Sequence, residues 1–156
     1  MAEPVTAKKE VIPIASDHAG FELKQELATT LRELGYEVQD LGTTSEQRTD
    51  YPDFAHPLAR EVSSGAVQRG VLLCGTGLGM SYVANRYPHV RAAVAWTPEI
   101  AALARRHNDA NVLVLPARFV SSAEGKAILK TWLDTPFEGG RHERRVEKIE
   151  RAPGGE

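Results

Sequence analysis

The stretch Cys74-Gly75-Thr76-Gly77-Leu78-Gly79 has residue types and a spacing suited to chemistry. Three alternating glycines behind an apolar run free backbone N–H groups to surround an anion. A thiol among them, at the start of a helix, sits where the thiolate is favoured. Such a sulfur can serve as a nucleophile or as a proton acceptor. The same residues also suit a tight strand-to-helix turn carrying a small buried hydrophobe. Spacing excludes three familiar loops. A dinucleotide fingerprint requires G-x-G-x-x-G, but Met80 stands three residues after Gly77. A P-loop requires Gly-Lys-Ser/Thr, and the loop has no such triplet. A thiol that attacks phosphorus needs an arginine six residues on, and that position is again Met80.

Other polar groups cluster where apolar runs end. Asp17-His18 follows the first run and Arg118 the last. His107-Asn108 closes a helical stretch, and Arg141 and Arg145 lie four residues apart, on one helix face. The arginine fork matches the oxygens of a phosphate better than lysine does. Each of these also has a plain structural reading. Asp17 suits a helix N-cap. His107 suits a helix C-terminus, with Asn108 as the cap. Arg141 and Arg145, beside Arg144 and Lys148, suit a solvated basic face.

Five short apolar runs must position these groups: 11–15, 36–41, 70–74, 90–96 and 111–115. Two of them, 71–74 and 92–96, are apolar throughout, as in strands buried on both faces of a parallel sheet. Helical patterns fill the gaps. Phe21, Leu23, Leu27, Leu31 and Leu34 recur at helical spacing, and Gly35 supplies a stop. Asp53 is expected to cap a helix to about Ser63, and a third helix starts near Leu78 and ends before Pro88. Thr97-Pro98-Glu99 is a cap followed by proline in the first turn. Ser121-Ser122-Ala123-Glu124 is a capping box. A last helix, about 141–150, carries only Val146 and Ile149 as apolar positions. It is expected to pack on another subunit or on the domain edge. Trp96 and Trp132 are expected in the core.

The expected fold is therefore α/β: a three-layer, Rossmann-like arrangement with a five-stranded parallel sheet and right-handed crossovers. Ligands bind such sheets at the carboxyl ends of the strands, where the polar groups collect. One domain, 11–150, is expected between a flexible leader at 1–10 and a flexible tail at 151–156. The chain is 42% hydrophobic and 26% charged, ordinary values for a globular domain. With 19 basic against 21 acidic residues, nothing argues for nucleic acid or an anionic membrane as partner. One cysteine permits no intrachain disulfide, and zinc-ribbon spacing is absent. No signal peptide or membrane span is visible, so a cytoplasmic location is the default.

Five motifs occur in register. They are Asp17-His18-Ala19-Gly20-Phe21-x-Leu23-Lys24, Arg48-Thr49-Asp50-Tyr51-Pro52, Cys74-Gly75-Thr76-Gly77-x-Gly79, His107-Asn108-Asp109 and Glu138-Gly139-Gly140-Arg141-His142-x-x-Arg145-Val146. With these motifs, the chain from about Ile12 to Ile149 resembles the B-type ribose-5-phosphate isomerases and the related galactose-6-phosphate isomerase subunits. The resemblance implies an aldose–ketose isomerase that works through an enediolate, as a homodimer or tetramer with shared sites, without metal or other cofactor. It makes Cys74 the proton-abstracting base, since Met80 stands where another subgroup carries glutamate. It implies that Thr76 and the N–H groups of Gly75, Gly77, Leu78 and Gly79 hold the enediolate. His107 would open the sugar ring, and Asn108 would bind a hydroxyl. Asp17 and His18 would contact the ring oxygen and hydroxyls or phosphate. Arg118, Arg141 and Arg145 would hold the phosphate, with the terminal helix reaching a neighbouring subunit, and Arg48 and Tyr51 would close the pocket.

Ribose 5-phosphate is the simplest substrate for this set. Allose 6-phosphate, galactose 6-phosphate and tetrulose phosphates are alternatives within the family. A non-catalytic phosphosugar-binding protein would retain the glycine loop and the arginines without needing the thiolate.

Overall fold

Strands β3 (Gly70–Cys74) and β5 (Val112–Pro116) are buried at every residue, as their unbroken apolar runs require. They pair in parallel at the centre of a five-stranded sheet. The computed structural model describes residues 8–154. β1 (Val11–Ser16) lies on the other side of β3, and β2 (Glu37–Asp40) and β4 (Ala92–Val94) form the edges, in the order β2-β1-β3-β5-β4. All pairings are parallel.

Alternation along the strands builds two cores. Val71, Leu73, Leu113 and Leu115 face α1 (Phe21–Glu33) and α5 (Ser122–Asp134), around the fully buried Trp132. Leu72, Cys74, Val112 and Val114 face the other way, toward α2 (Pro52–Ser64) and α3 (Leu78–Ala84). α4 (Pro98–Asn108) joins the first layer through Ala101, and a short α6 (Arg141–Glu147) follows α5. Burial of one large apolar side chain in such a core contributes about 1.5–3 kcal/mol.

The caps read from sequence form at two helices. Thr97 Oγ1 accepts from the Ile100 amide, and Ser121 and Glu124 form a reciprocal capping box. Elsewhere the structure departs from expectation. Tyr51, not Asp53, is the N-cap of α2, because Pro52 already occupies the first helical turn. The fourth strand is three residues long and only half-buried, because it is an edge strand paired to β5 alone. Trp96, just beyond it, is 55% exposed rather than core. The last helix ends at Glu147, short of the expected 150, and lies on α4 of its own chain through the His107–His142 ring pair, in keeping with the expected place at the domain edge.

Glu10, assigned to the leader from sequence, holds Arg69 at 2.7 Å. The rest of the expected leader up to residue 7, and residues 155–156 of the expected tail, lie outside the described residues. A link unforeseen from sequence joins α1 to β2: the buried Lys24 ammonium donates to both carboxylate oxygens of Asp40 at 2.7 Å. No helix among the described residues is long and apolar enough to cross a membrane.

Candidate active site

The order of strands reverses direction between β1 and β3, which places their carboxyl ends side by side. The Asp17 amide donates to the Leu73 carbonyl at 3.3 Å, so Asp17 lies directly beside Cys74. Cys74 is the last residue of β3, and the alternation of the strand turns its side chain toward α3. It is 5% exposed. The Gly77 amide donates to Cys74 Sγ at 3.2 Å, an interaction that strengthens when sulfur is anionic. The Leu78 amide donates to Thr76 Oγ1 at 3.2 Å. Two of the amides expected to hold an anion are therefore turned onto the loop's own side chains.

Backbone conformation and close contact hold Gly77 and Gly79 to glycine. Gly77 caps α3 in the left-handed region, at φ 78°. A Cβ at Gly79 would stand 2.6 Å from the Tyr51 ring, so the 48–52 segment rests on the loop. A Cβ at Gly75 would stand 3.3 Å from Arg118 Nη1, which puts that guanidinium over the loop. The Arg118 amide donates to the Gly75 carbonyl at 3.0 Å.

Asp17 realises its structural reading while facing the site. Its Oδ1 accepts from the Ala19 and Gly20 amides at 3.0 and 3.3 Å. His18 is held by a residue that sequence reasoning did not single out. Thr49 accepts from the His18 amide through Oγ1 and donates its own amide to His18 Nδ1, both at 3.1 Å. In the neutral ring this places the proton on Nε2, free to donate. Thr49 lies inside the Arg48–Pro52 motif, but no spacing rule marks it as a partner of His18.

The other predicted residues sit at the opposite edge of the sheet. His107 and Asn108 end α4, and the Asn108 carbonyl accepts from Arg91 Nε at 3.1 Å, just before β4 begins. The Gly70 amide donates to the Asn111 carbonyl at 3.0 Å, which ties this end of α4 to the first residue of β3. Cys74 is the last residue of that strand. Four residue steps of strand, about 13 Å, therefore lie between the two groups. The C-cap of α4 is Asp109, in the left-handed region at φ 49°, not Asn108. Asp109 is held there by Arg105 at 2.8 Å, which leaves the Asn108 side chain exposed.

α6 adds its arginines to this second group. Arg141 and Arg145 are exposed. Between them His142 turns inward and is 6% exposed. Its ring stacks on His107, with centroids 4.4 Å apart and planes at 17°. Burial, the neighbouring His107 and Arg141 hold His142 below the ordinary histidine range. Its Nε2 lies 3.7 Å from Glu138 Oε1.

The predicted set thus divides in two. Asp17, His18, Cys74, Gly75, Thr76, Gly77, Leu78, Gly79 and Arg118 gather at the carboxyl edge. His107, Asn108, Arg141 and Arg145 gather at the amino edge. Beside the glycine loop lies an apolar surface that the sequence reading did not anticipate. Leu78, Trp96 and Phe119 are 48%, 55% and 72% exposed around a shallow cavity of about 500 Å³.

Comparison with known proteins agrees with the motifs. Residues 12–149 match the family model described as Ribose/Galactose Isomerase. The chain is 47% identical over 138 residues to ribose-5-phosphate isomerase B of Escherichia coli, covering 88% of this chain and 93% of that protein. It superposes on the crystal structure of the Thermotoga maritima ribose 5-phosphate isomerase with a TM-score of 0.88 and 51% identity, over 92% of this chain and 99% of the other. The ribose-5-phosphate isomerase B of Mycoplasma genitalium, solved with bound ribulose 5-phosphate, matches with a TM-score of 0.87 and 43% identity, over 90% and 94% of the two chains.

Proposed function

The chain belongs to the ribose/galactose isomerase family, and we propose that it interconverts D-ribose 5-phosphate and D-ribulose 5-phosphate in a site shared by two copies of the chain. The observation that carries the shared site is the separation of the two residue groups. A pentose phosphate is too short to engage both edges of one sheet. A second copy that brings its α4–α6 edge to the Cys74 loop completes the set. The exposed Leu78, Trp96 and Phe119 beside the loop offer that copy an apolar landing surface.

Each group then has a task. Arg141 and Arg145 of one copy hold the phosphate. His107 protonates the ring oxygen as the furanose opens, and Asn108 binds a hydroxyl. Asp17, His18 and Arg118 of the other copy orient the opened sugar. Cys74, as thiolate, removes the proton from C2 of the aldose. The electron pair of that C–H bond forms the C1–C2 double bond, and O1 takes the negative charge of a cis-enediolate. Thr76 and the Gly75 and Gly79 amides, which are not turned onto the loop's own side chains, line the O1/O2 edge and stabilise that charge. The Cys74 thiol returns the proton to C1, a proton passes from O2 to O1, and the ketose forms. No electron leaves the substrate, so the chemistry needs no redox cofactor.

A chelator-treated assay of ribose 5-phosphate conversion, wild type beside Cys74→Ala, tests this reading. The mutant is expected to lose at least about 100-fold in kcat, the contribution of a proton-transfer base. Near wild-type turnover by Cys74→Ala would remove Cys74 as the base. Wild type inactive on ribose 5-phosphate but active on a four- or six-carbon phosphate would reassign the substrate. Tight binding without turnover would make the chain a phosphosugar-binding protein.

A further inference from the structure

We propose that His107, Glu138 and His142 form a binding site for a borderline divalent cation of the Zn2+ type, which switches the isomerase off by taking His107 as a ligand. The inhibitory half of this rests on the role given above to His107; the binding half does not.

Three ligand atoms, one from each of these residues, lie within 4.8 Å of one another. Two imidazoles and one carboxylate make a three-ligand set that zinc accepts with a fourth position open to water or a substrate oxygen. The spacing Glu138-x-x-x-His142 puts two of the ligands at i and i+4, across the start of α6. His107 enters from the end of α4, with its ring stacked on His142.

An independent observation points to a ligand here. His142 is 6% exposed, and its Nε2 is buried without any hydrogen-bond partner. A buried polar nitrogen left unpaired is costly, and native structures rarely leave one without a reason. Glu138 Oε1 is its nearest carboxylate oxygen, at 3.7 Å. That is too long for a hydrogen bond. It is close to the roughly 3.4 Å between two ligand atoms that share a tetrahedral zinc at 2.0–2.1 Å from each. The two ring planes are only 17° apart, so their in-plane lone pairs run side by side, and closing on one ion requires the His107 ring to turn about its side-chain bonds. Arg141 and Arg145 beside the site lower its affinity for any cation, so the site suits a reversible brake rather than a resident metal.

Cys74 is itself a soft zinc ligand, so the test begins from the Cys74→Ala chain. Co2+ titrated into that protein, in the absence of sugar phosphate, is expected to give the visible d–d absorption of a four-coordinate ion. Added Zn2+ should displace it, one ion per chain. The absorption should vanish when Glu138→Gln or His142→Asn is added. In chains that retain Cys74, Glu138→Gln should turn over ribose 5-phosphate as wild type does, while half-inhibition requires on the order of 10–100 times more Zn2+. Absorption that is missing from Cys74→Ala, or that survives both substitutions, would overturn the site. Equal Zn2+ sensitivity of wild type and Glu138→Gln would overturn the brake. The spectrum is read without substrate, so a failure of the isomerase reading and a failure of the metal site give different results.

Discussion

Cys74 meets two demands at one position. It closes a buried strand as a small hydrophobe, and it turns its sulfur onto the Gly77 amide. Asp17 is double in the same way, capping the turn at His18–Gly20 while standing beside Cys74. Such residues are hard to read because one position suits a structural and a chemical explanation at once. His142 is a clearer case, since only a packed structure makes it unusual. Its buried ring is held below the ordinary histidine range. Above about pH 6.5 the ring is neutral in both folded and unfolded chains and carries no penalty. As pH falls through that value, the unfolded chain takes up the proton first, and the folded state loses stability until its own lowered value is passed. Tm measured between pH 7.5 and 5 is therefore expected to fall more steeply in wild type than in His142→Asn. Equal slopes would show that His142 is not the group responsible.

At the scale of elements, the glycine loop works because four neighbours press on it. Val94 and Val114 crowd Gly77, Tyr51 covers Gly79, and Arg118 lies over Gly75. Gly77 must also hold a left-handed conformation to start α3. Gly77→Ala is expected to cost about 1–2 kcal/mol from the conformation alone. The added Cβ would meet Val94 Cγ1 at 3.2 Å, which adds to that cost. The substitution keeps the amide but displaces it from Cys74 Sγ as the strained φ relaxes, so kcat should fall together with stability. Denaturant unfolding beside a kinetic assay checks this, and a fully active, destabilised variant would show that the amide does not matter to the sulfur. The Lys24–Asp40 pair acts at this scale too. Asp40 also accepts from the Gly42 amide at 2.9 Å, so one carboxylate ties α1 to the end of β2.

The whole molecule presents one group of the candidate residues at each edge of one sheet. If two copies share each site, two inactive variants damaged at opposite edges should rescue one another. Cys74→Ala and His107→Ala, unfolded together and refolded, are expected to recover about a quarter of the wild-type sites, since half of a random mixture is mixed dimer with one of its two sites intact. Each variant refolded alone should stay inactive. No recovery from a mixture shown by mass to contain mixed dimers would place both residues in one chain's site.

The sequence alone determined the layered α/β fold and the helix caps at Thr97 and Ser121, and its motifs named the residues proposed for the site. Strand burial, caps and loop motifs are local patterns, and local patterns survive in one dimension. The tertiary structure decided the rest. It moved Trp96 from core to surface, because the edge position of β4 depends on which strand it pairs with. It moved the cap of α4 from Asn108 to Asp109, whose carboxylate is held by Arg105 and Arg91. It set Thr49 against His18 and His142 against His107, partners 31 and 35 positions apart that no periodicity connects. Above all, it divided a motif set that reads as one site into two groups at opposite edges of a sheet. Distance along the chain does not state which edge of a sheet a residue reaches; the direction of each helix and the order of the strands do.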